Sequence, residues 1–421
     1  MVRLIGFKHN ANPVPIIIIL GWRLITILSR LQRSLVFPTV FALFIVLVGC
    51  APSNETLPLA PGWQLIGQTE TSAPVDSPAL SLGVGNAMRI LWFGEPTMPN
   101  LRLWDGLTAP HLLPLGITPE RLSAYPLDKG WLQLLWIDQS PYGEGALVGG
   151  TLDAVGSVQR GPTAISTGAV IEYAAAAAPD GSLRVVWSER SGSRSRLLAT
   201  TIDGLGRPRP TVLIAAAGRF PALTFDSRGN LHFVWLEQGV GAVWTVRYVR
   251  LSGGVFPTVA LAQSDPIAVF ETSPGSTPES IAVQSDLDQV YALWVVAVVG
   301  AGGDIQGVRF PLEDSARVQA IAASGWALEG LGGVSGGRLA GGALFSGRGY
   351  ALGGTRYALP RIPIILSVGT DGAVTATPLL KSESADLIGG VSAALDGEGR
   401  LHAAWSALSA AGVAHVYRAG E

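Results

Sequence analysis

Only one cysteine, Cys50, stands in the 421-residue chain, so no disulfide can form within it and the fold must rest on packing alone. Charge is scarce too: 14% of residues are charged, and 31 acids nearly cancel 29 bases. That balance leaves no electrostatic footprint for nucleic acid, so any binding surface must be local. Sustained helical periodicity is missing beyond the N-terminal region, which excludes a helical bundle. There is no P-loop, no HExxH, no CxxC, and no nucleophile elbow followed by a plausible acid and histidine. Gly83-x-Gly85 and the glycines of 330–342 lack the strand–turn–helix context that phosphate binding needs. No cofactor and no metal site is therefore expected. What the chain has in quantity is glycine (53), proline (28) and apolar residues (48%). It is too apolar for disorder and too glycine-rich for a helical protein.

The lone cysteine is informative by its place. Residues 35–49, LVFPTVFALFIVLVG, carry no charge and follow Arg30 and Arg33. A basic flank, a short apolar run and a small residue before the cut are the parts of a secretory signal, and the run is shorter than the roughly 20 residues of a spanning helix. The tetrapeptide Leu47-Val48-Gly49-Cys50 resembles the bacterial lipobox, which implies acylation of Cys50 as the new N-terminus. The expected organisation is a leader (1–49), a lipidated cysteine and linker (50–61) and a globular part (62–421). It would be held by its lipid on the outer side of the cell membrane or in the outer envelope. Residues 1–29, with Arg23 interrupting an apolar stretch, do not fit a simple leader; a misplaced start codon or a second membrane segment would account for them.

Beyond the linker, short β-rich runs alternate with Gly, Pro, Asp and Ser clusters, and the runs repeat. Half of the twelve tryptophans share one context: RILW at Trp92, QLLW at Trp136, RVVW at Trp187, HFVW at Trp235, YALW at Trp294 and HAAW at Trp405. They recur at intervals of about 50 residues, with one double interval in which Phe345 takes the tryptophan slot. Each unit resolves into four strand-sized pieces, in the clearest copy 221–226, 230–237, 244–251 and 257–262. The spacing predicts an all-β fold, a seven-bladed β-propeller of four-stranded antiparallel blades. Small first strands (174–178, 332–337, 389–394) suit crowding around an axis, although an alanine run by itself favours helix. The seventh unit ends after three strands, and 63–69, WQLIGQT, is an orphan strand placed to complete it, which would leave no exposed edge. His232 and His402 share a slot with Arg89, Gln133, Arg184 and Tyr291, so the repeated histidine reads as architecture and not as a metal ligand.

The Asp-x-x-Gly-x-Leu-x-x-x-Trp blades resemble those of exported bacterial propellers in the broad sialidase-like (BNR-repeat) group, over roughly residues 60–421. The resemblance implies the fold and little about activity. No blade matches the Asp-box, and Arg361-Ile362-Pro363 matches the sialidase Arg-Ile-Pro core only in the wrong blade. Carboxylates recur just past the tryptophans, at Glu95, Asp138, Glu189 and Glu237, as an acidic rim able to meet a cation or sugar hydroxyls; solvated turn positions are the plainer reading. Two long insertions, 263–278 and 346–361, are expected as loops on one face, where binding usually sits. The second holds Arg348, Tyr350, Arg356, Tyr357 and Arg361, guanidinium forks and aromatic faces that suit an anionic or sugar-containing partner. The sequence thus favours a lipid-anchored binding or scaffold module for a carbohydrate or protein. A divergent glycoside-acting hydrolase and a structural subunit of an envelope assembly are the alternatives.

Overall fold

The computed structural model describes the chain from Trp63 to Gly420, apart from internal segments of which 352–361 is the longest. The leader, Cys50 and the linker lie outside the described residues, as do Arg356, Tyr357 and Arg361. The described residues form seven antiparallel blades in a ring, a β-propeller. Blade 1 comprises Ala79–Leu82, Met88–Glu95, Met98–Trp104 and His111–Leu113. Blade 2 comprises Pro119–Pro126, Leu132–Asp138, Ala146–Leu152 and Val158–Ala164. Blade 3 follows with Val170–Ala177, Leu183–Ser191, Arg194–Ile202 and Val212–Ala215. Blade 4 has Arg219–Phe225, Leu231–Gln238, Trp244–Leu251 and Ile267–Glu271.

Blades 5 and 6 share a strand. Blade 5 runs Thr277–Ser285, Gln289–Ala297 and Gly303–Pro311. Its outer strand is the first part of Gln319–Gly333, whose second part is the inner strand of blade 6, next to Ala343–Ala351, Ile362–Val368 and Val374–Pro378. The inner strand expected at 332–337 is thus displaced, and Ser335–Gly336 instead pairs parallel with blade 7. Blade 7 has Leu387–Leu395, Leu401–Leu408 and Val413–Gly420, and Trp63–Glu70 completes it in antiparallel register, Trp63 opposite Ala419 and Glu70 opposite Val413. The orphan strand closes the ring.

Second strands such as Leu183–Ser191 are buried along most of their length without alternation, because neighbouring blades cover both faces. The alanine run of blade 3 is a strand, since inner strands touch one another around the axis and leave room only for small side chains. Most of the blade tryptophans then pack against the blade before, whereas Trp405 stacks on Tyr417 of its own blade. Trp136 lies with Leu91, Leu101 and Leu103 of blade 1, Trp187 with Leu135 and Leu147 of blade 2, Trp235 with Val186 and Leu197 of blade 3. Phe345 does the same against Leu293 and Ile305 of blade 5, and Trp92 against Ile66 of the closing strand.

The outer strand of blade 4 departs from the expectation of 257–262. Ile267–Glu271 fills that place, with Val269 buried and Phe270 against Trp294 of blade 5. The earlier segment leans the other way: Leu261 N donates to Ile214 O in blade 3.

The histidine slot has a common use. Asp226 Oδ1 accepts the amides of Arg228 and Asn230, and its Oδ2 meets His232 Nε2 at 3.2 Å, while His232 Nδ1 lies 2.9 Å from Tyr248 Oη. Asp396 repeats this with the amides of Glu398 and Arg400 and with His402 Nε2 at 3.1 Å. In blade 5, Tyr291 Oη donates to Asp286 at 2.8 Å. Arg89 and Arg184 instead reach the next blade, donating to Gly130 O and Gly254 O. In these blades the residue fixes the turn before its strand or a turn of the neighbouring blade, whereas Gln133 of blade 2 donates within its own blade to Leu134 O and Gly150 O.

Candidate functional site

The antiparallel order gives the ring two faces. The turns joining first to second and third to fourth strands lie on one, called lower here; the second-to-third and blade-to-blade connections lie on the other, the upper face. Near the upper end of the inner strands, blades 2 to 7 each break register against the second strand, at Glu120/Ser123, Val170/Glu172, Arg219/Ala222, Pro278/Ser280, Leu328/Leu331 and Ile388/Gly390. Such bulges end the ladder locally and turn side chains to new directions, often beside sites. Two of them hold a non-glycine residue in the left-handed region: Arg121, φ 57°, and Phe220, φ 51°. For a bulky residue that conformation is an outlier that persists only when its surroundings enforce it.

The surroundings of Phe220 are charged. Glu172, on the inner strand of blade 3, is buried, and its carboxylate accepts both Arg219 Nε at 3.2 Å and Arg219 Nη2 at 3.1 Å from blade 4. The Phe220 amide donates to the same carboxylate at 2.8 Å. The guanidinium also lies over the Phe220 ring, 4.6 Å from its centre. Arg219 is thus held on one edge by a fork and on one face by an aromatic ring, while its side chain remains 37% exposed. Its Nη1 has no protein partner among the described residues. A guanidinium fixed in this way loses little freedom on meeting a carboxylate, sulfate or hydroxyl pair. On the other side of blade 3, Tyr173 Oη donates to Leu135 O at 2.8 Å, lies 2.7 Å from Ser123 Oγ and also touches Arg121 O, bracing the second strained bulge.

The residues singled out from sequence are only partly brought together. Glu95, Asp138, Glu189 and Glu237 do sit at or near the upper ends of second strands. Asp138 is exposed. Glu189 is buried, with one oxygen on Arg196 Nη2 at 2.7 Å and the other on the Trp187 indole N–H at 3.3 Å. Glu237 accepts Arg247 Nε at 2.8 Å. Both are engaged by arginines of the adjoining third strand. The two insertions expected as loops prove partly strand: 263–278 contains the outer strand of blade 4, and 346–361 begins within Ala343–Ala351. The cause is pairing with distant partners, Val246 with Phe270 and Arg348 with Pro363. Arg348 therefore projects from a strand and donates to Gly389 O of blade 7 at 2.5 Å. Tyr350 lies on the same strand.

Glu172, Arg219 and Phe220 escaped the sequence reading. Two opposite charges at the starts of consecutive inner strands were a signal, in a chain so poor in charge. The positive φ of Phe220 has no counterpart in residue type.

No protein-family model matches this chain, and no curated protein matches it either. Solved structures do share the fold. A lectin from Burkholderia pseudomallei, BP39L, aligns with a TM-score of 0.56 at 16% identity, over 82% of this chain and 98% of its own. A polysaccharide lyase family 25 ulvan lyase bound to -[GlcA(1-4)Rha3S]- aligns with a TM-score of 0.57 at 9% identity, over 83% and 94%. A protein of unknown function from Dyadobacter fermentans aligns with a TM-score of 0.51 at 10% identity, over 86% and 100%. At these identities the likeness is one of fold: this chain is built as those propellers are.

Proposed function

We propose that this chain is an extracytoplasmic binding module, held to the envelope through an acylated Cys50, that takes an anionic or sugar-containing ligand on the upper face of its ring. The observation that carries the reading is the preorganised Arg219, clasped by buried Glu172 beside a strained Phe220 at the axial end of blades 3 and 4. Among the propellers of the same build, one is named a lectin and another was seen with a uronate-containing saccharide, and a saccharide ligand here is in keeping with both. Arg356, Tyr357 and Arg361, which lie outside the described residues, are included in the proposal for their residue types alone, guanidinium forks and an aromatic face suited to an anionic or sugar-containing ligand.

Binding is favoured over hydrolysis because a glycosidase needs two carboxylates free to face the scissile bond, and Glu189 and Glu237 are each taken up by an arginine. The test is calorimetry of the exported chain against a glycan panel that includes glucuronate and sulfated oligosaccharides. The double variant Arg219→Gln/Glu172→Gln removes the fork and its counter-charge together, so that neither is left buried alone. We expect it to stay folded and to lose about tenfold or more in affinity, the loss of one charge-assisted hydrogen bond. Unchanged affinity in that variant, with loss in Arg356→Ala, would move the site to blade 6. Product release abolished by Glu189→Gln would replace binding by catalysis.

A further inference from the structure

The lower face carries an internal comparison. Nine of its turns are built alike, with an aspartate Oδ1 accepting the amide of the residue two positions on. In the four turns between first and second strands that residue is Ser182, Arg228, Asp288 or Glu398, all polar. In the five between third and fourth strands it is Leu107, Val155, Leu205, Ala316 or Ala373, all apolar. The local geometry is common to both sets, so turn formation does not explain the difference.

The apolar tips are also exposed: Leu107 by 91%, Val155 by 78% and Leu205 by 44%, in three successive blades, followed in blade 4 by Val255 at 65%. Of the large apolar side chains that are exposed among the described residues, these four and Leu287 are on lower-face turns. The others, Leu112, Val158 and Leu213, are on the outer strands of blades 1 to 3. Single exposed aliphatics need no explanation; one at the same structural position of consecutive repeats does.

A second, independent observation says what lies beneath this face. The closing strand starts at Trp63 opposite Ala419, next to Gly420, which is itself opposite His402 beside the Asp396 turn. The chain therefore enters the ring at the lower face. Cys50 is 13 residues before Trp63, a reach of at most about 45 Å for extended chain. We infer that the lower face rests on the surface of a lipid bilayer, with the aliphatic tips of blades 1 to 4 set among the headgroups and the upper face turned away from the membrane. This rests on the reading of Cys50 as the lipid anchor. The polar inner turns face the same way but sit nearer the axis, so the contact is an outer arc and not a plug. Aliphatic groups at this depth add to an acyl anchor and fix the orientation of the ring.

The experiment uses the full chain, acylated and reconstituted into vesicles of phosphatidylethanolamine and phosphatidylglycerol. Since Cys50 is blocked by its lipid, a thiol introduced by Val155→Cys, Leu205→Cys or, as control, Asp138→Cys on the upper face is the one site for an environment-sensitive dye. Flotation with the vesicles reports anchorage. In floated protein, lipid-borne quenchers should dim the dyes at 155 and 205 severalfold more than the dye at 138. The quadruple variant Leu107→Ser/Val155→Ser/Leu205→Ser/Val255→Ser changes only exposed side chains, and the aspartate turn accepts serine at the matching position in Ser182, so it should stay folded, still float, and lose that contrast as read from a dye on Arg207→Cys. Flotation with equal dimming at 155, 205 and 138 would overturn the docking and leave the anchor standing. Failure to float would overturn both.

Discussion

Phe220 combines two costs in one residue. Its left-handed backbone is unfavourable by roughly 1–2 kcal/mol for a side chain with a Cβ, and its ring is only partly buried against the core between blades 4 and 5. Both are tolerated because its amide and the stacked Arg219 complete the coordination of Glu172. Phe220→Gly should therefore change stability by less than about 1 kcal/mol, strain relief offsetting lost contacts. Phe345→Ala, which empties a fully buried site without relieving strain, should cost about 3–5 kcal/mol. Chemical denaturation of the two variants measures the contrast. A loss of ligand affinity in Phe220→Gly without a loss of stability would separate function from packing. At this scale the sequence told unequal amounts. The histidine slot could be read as structural from its occupants alone, whereas the Glu172–Arg219 clasp needs two residues that only the ring brings together.

The recurring element is the aspartate turn, and it predicts how the ring meets acid. Asp105 is held below the usual carboxylate range chiefly by the amides of Thr108 and Leu107. For Asp153, Asp180, Asp203, Asp226 and Asp396, burial pulls upward, yet hydrogen bonds from the turn amides and from side chains such as Gln159, Arg207, Asn230 and Arg400 prevail and the shift is again downward. A carboxylate whose folded pKa is depressed stabilises the fold at pH above its unfolded value, about 3.9, and loses that contribution as pH falls below it. We expect the melting temperature to be nearly flat from pH 8 to about 5 and to fall steadily below about 4. Asp396→Asn, which removes one such group, should melt lower at neutral pH and show a shallower acid slope; a calorimetric pH series checks both. The same scale shows where element assignment from sequence ends. Both 257–262 and 267–271 have a strand-like pattern, and only contacts with blades 3 and 5 decide that the second joins blade 4. Likewise the shared strand Gln319–Gly333 spans what reads as the end of one unit and the start of the next.

For the whole molecule, blade count and closure were legible because a tryptophan or its substitute marks every unit, one strand was left over before the first unit and one was missing from the seventh. Closure depends on a close approach: a Cβ on Gly67 would collide with the Trp92 ring of blade 1. Gly67→Val should displace Trp92 from the seam and cost about 1–3 kcal/mol, as overpacking does. Limited proteolysis should then cut before the ring at low denaturant, where the native closing strand is protected. Resistance equal to wild type would mean that the seam adjusts without opening.

The partners in this seam lie far apart in the sequence, and that sets an order of events. Trp63–Glu70 is the first of the described strands to be made, and Val413–Gly420, against which it pairs, is the last of them. At roughly 5–20 residues per second, the interval between them is tens of seconds. Until Val413–Gly420 has been made, Trp63–Glu70 has no partner strand and blade 7 stays incomplete. The ring closes only after its remaining blades have been made.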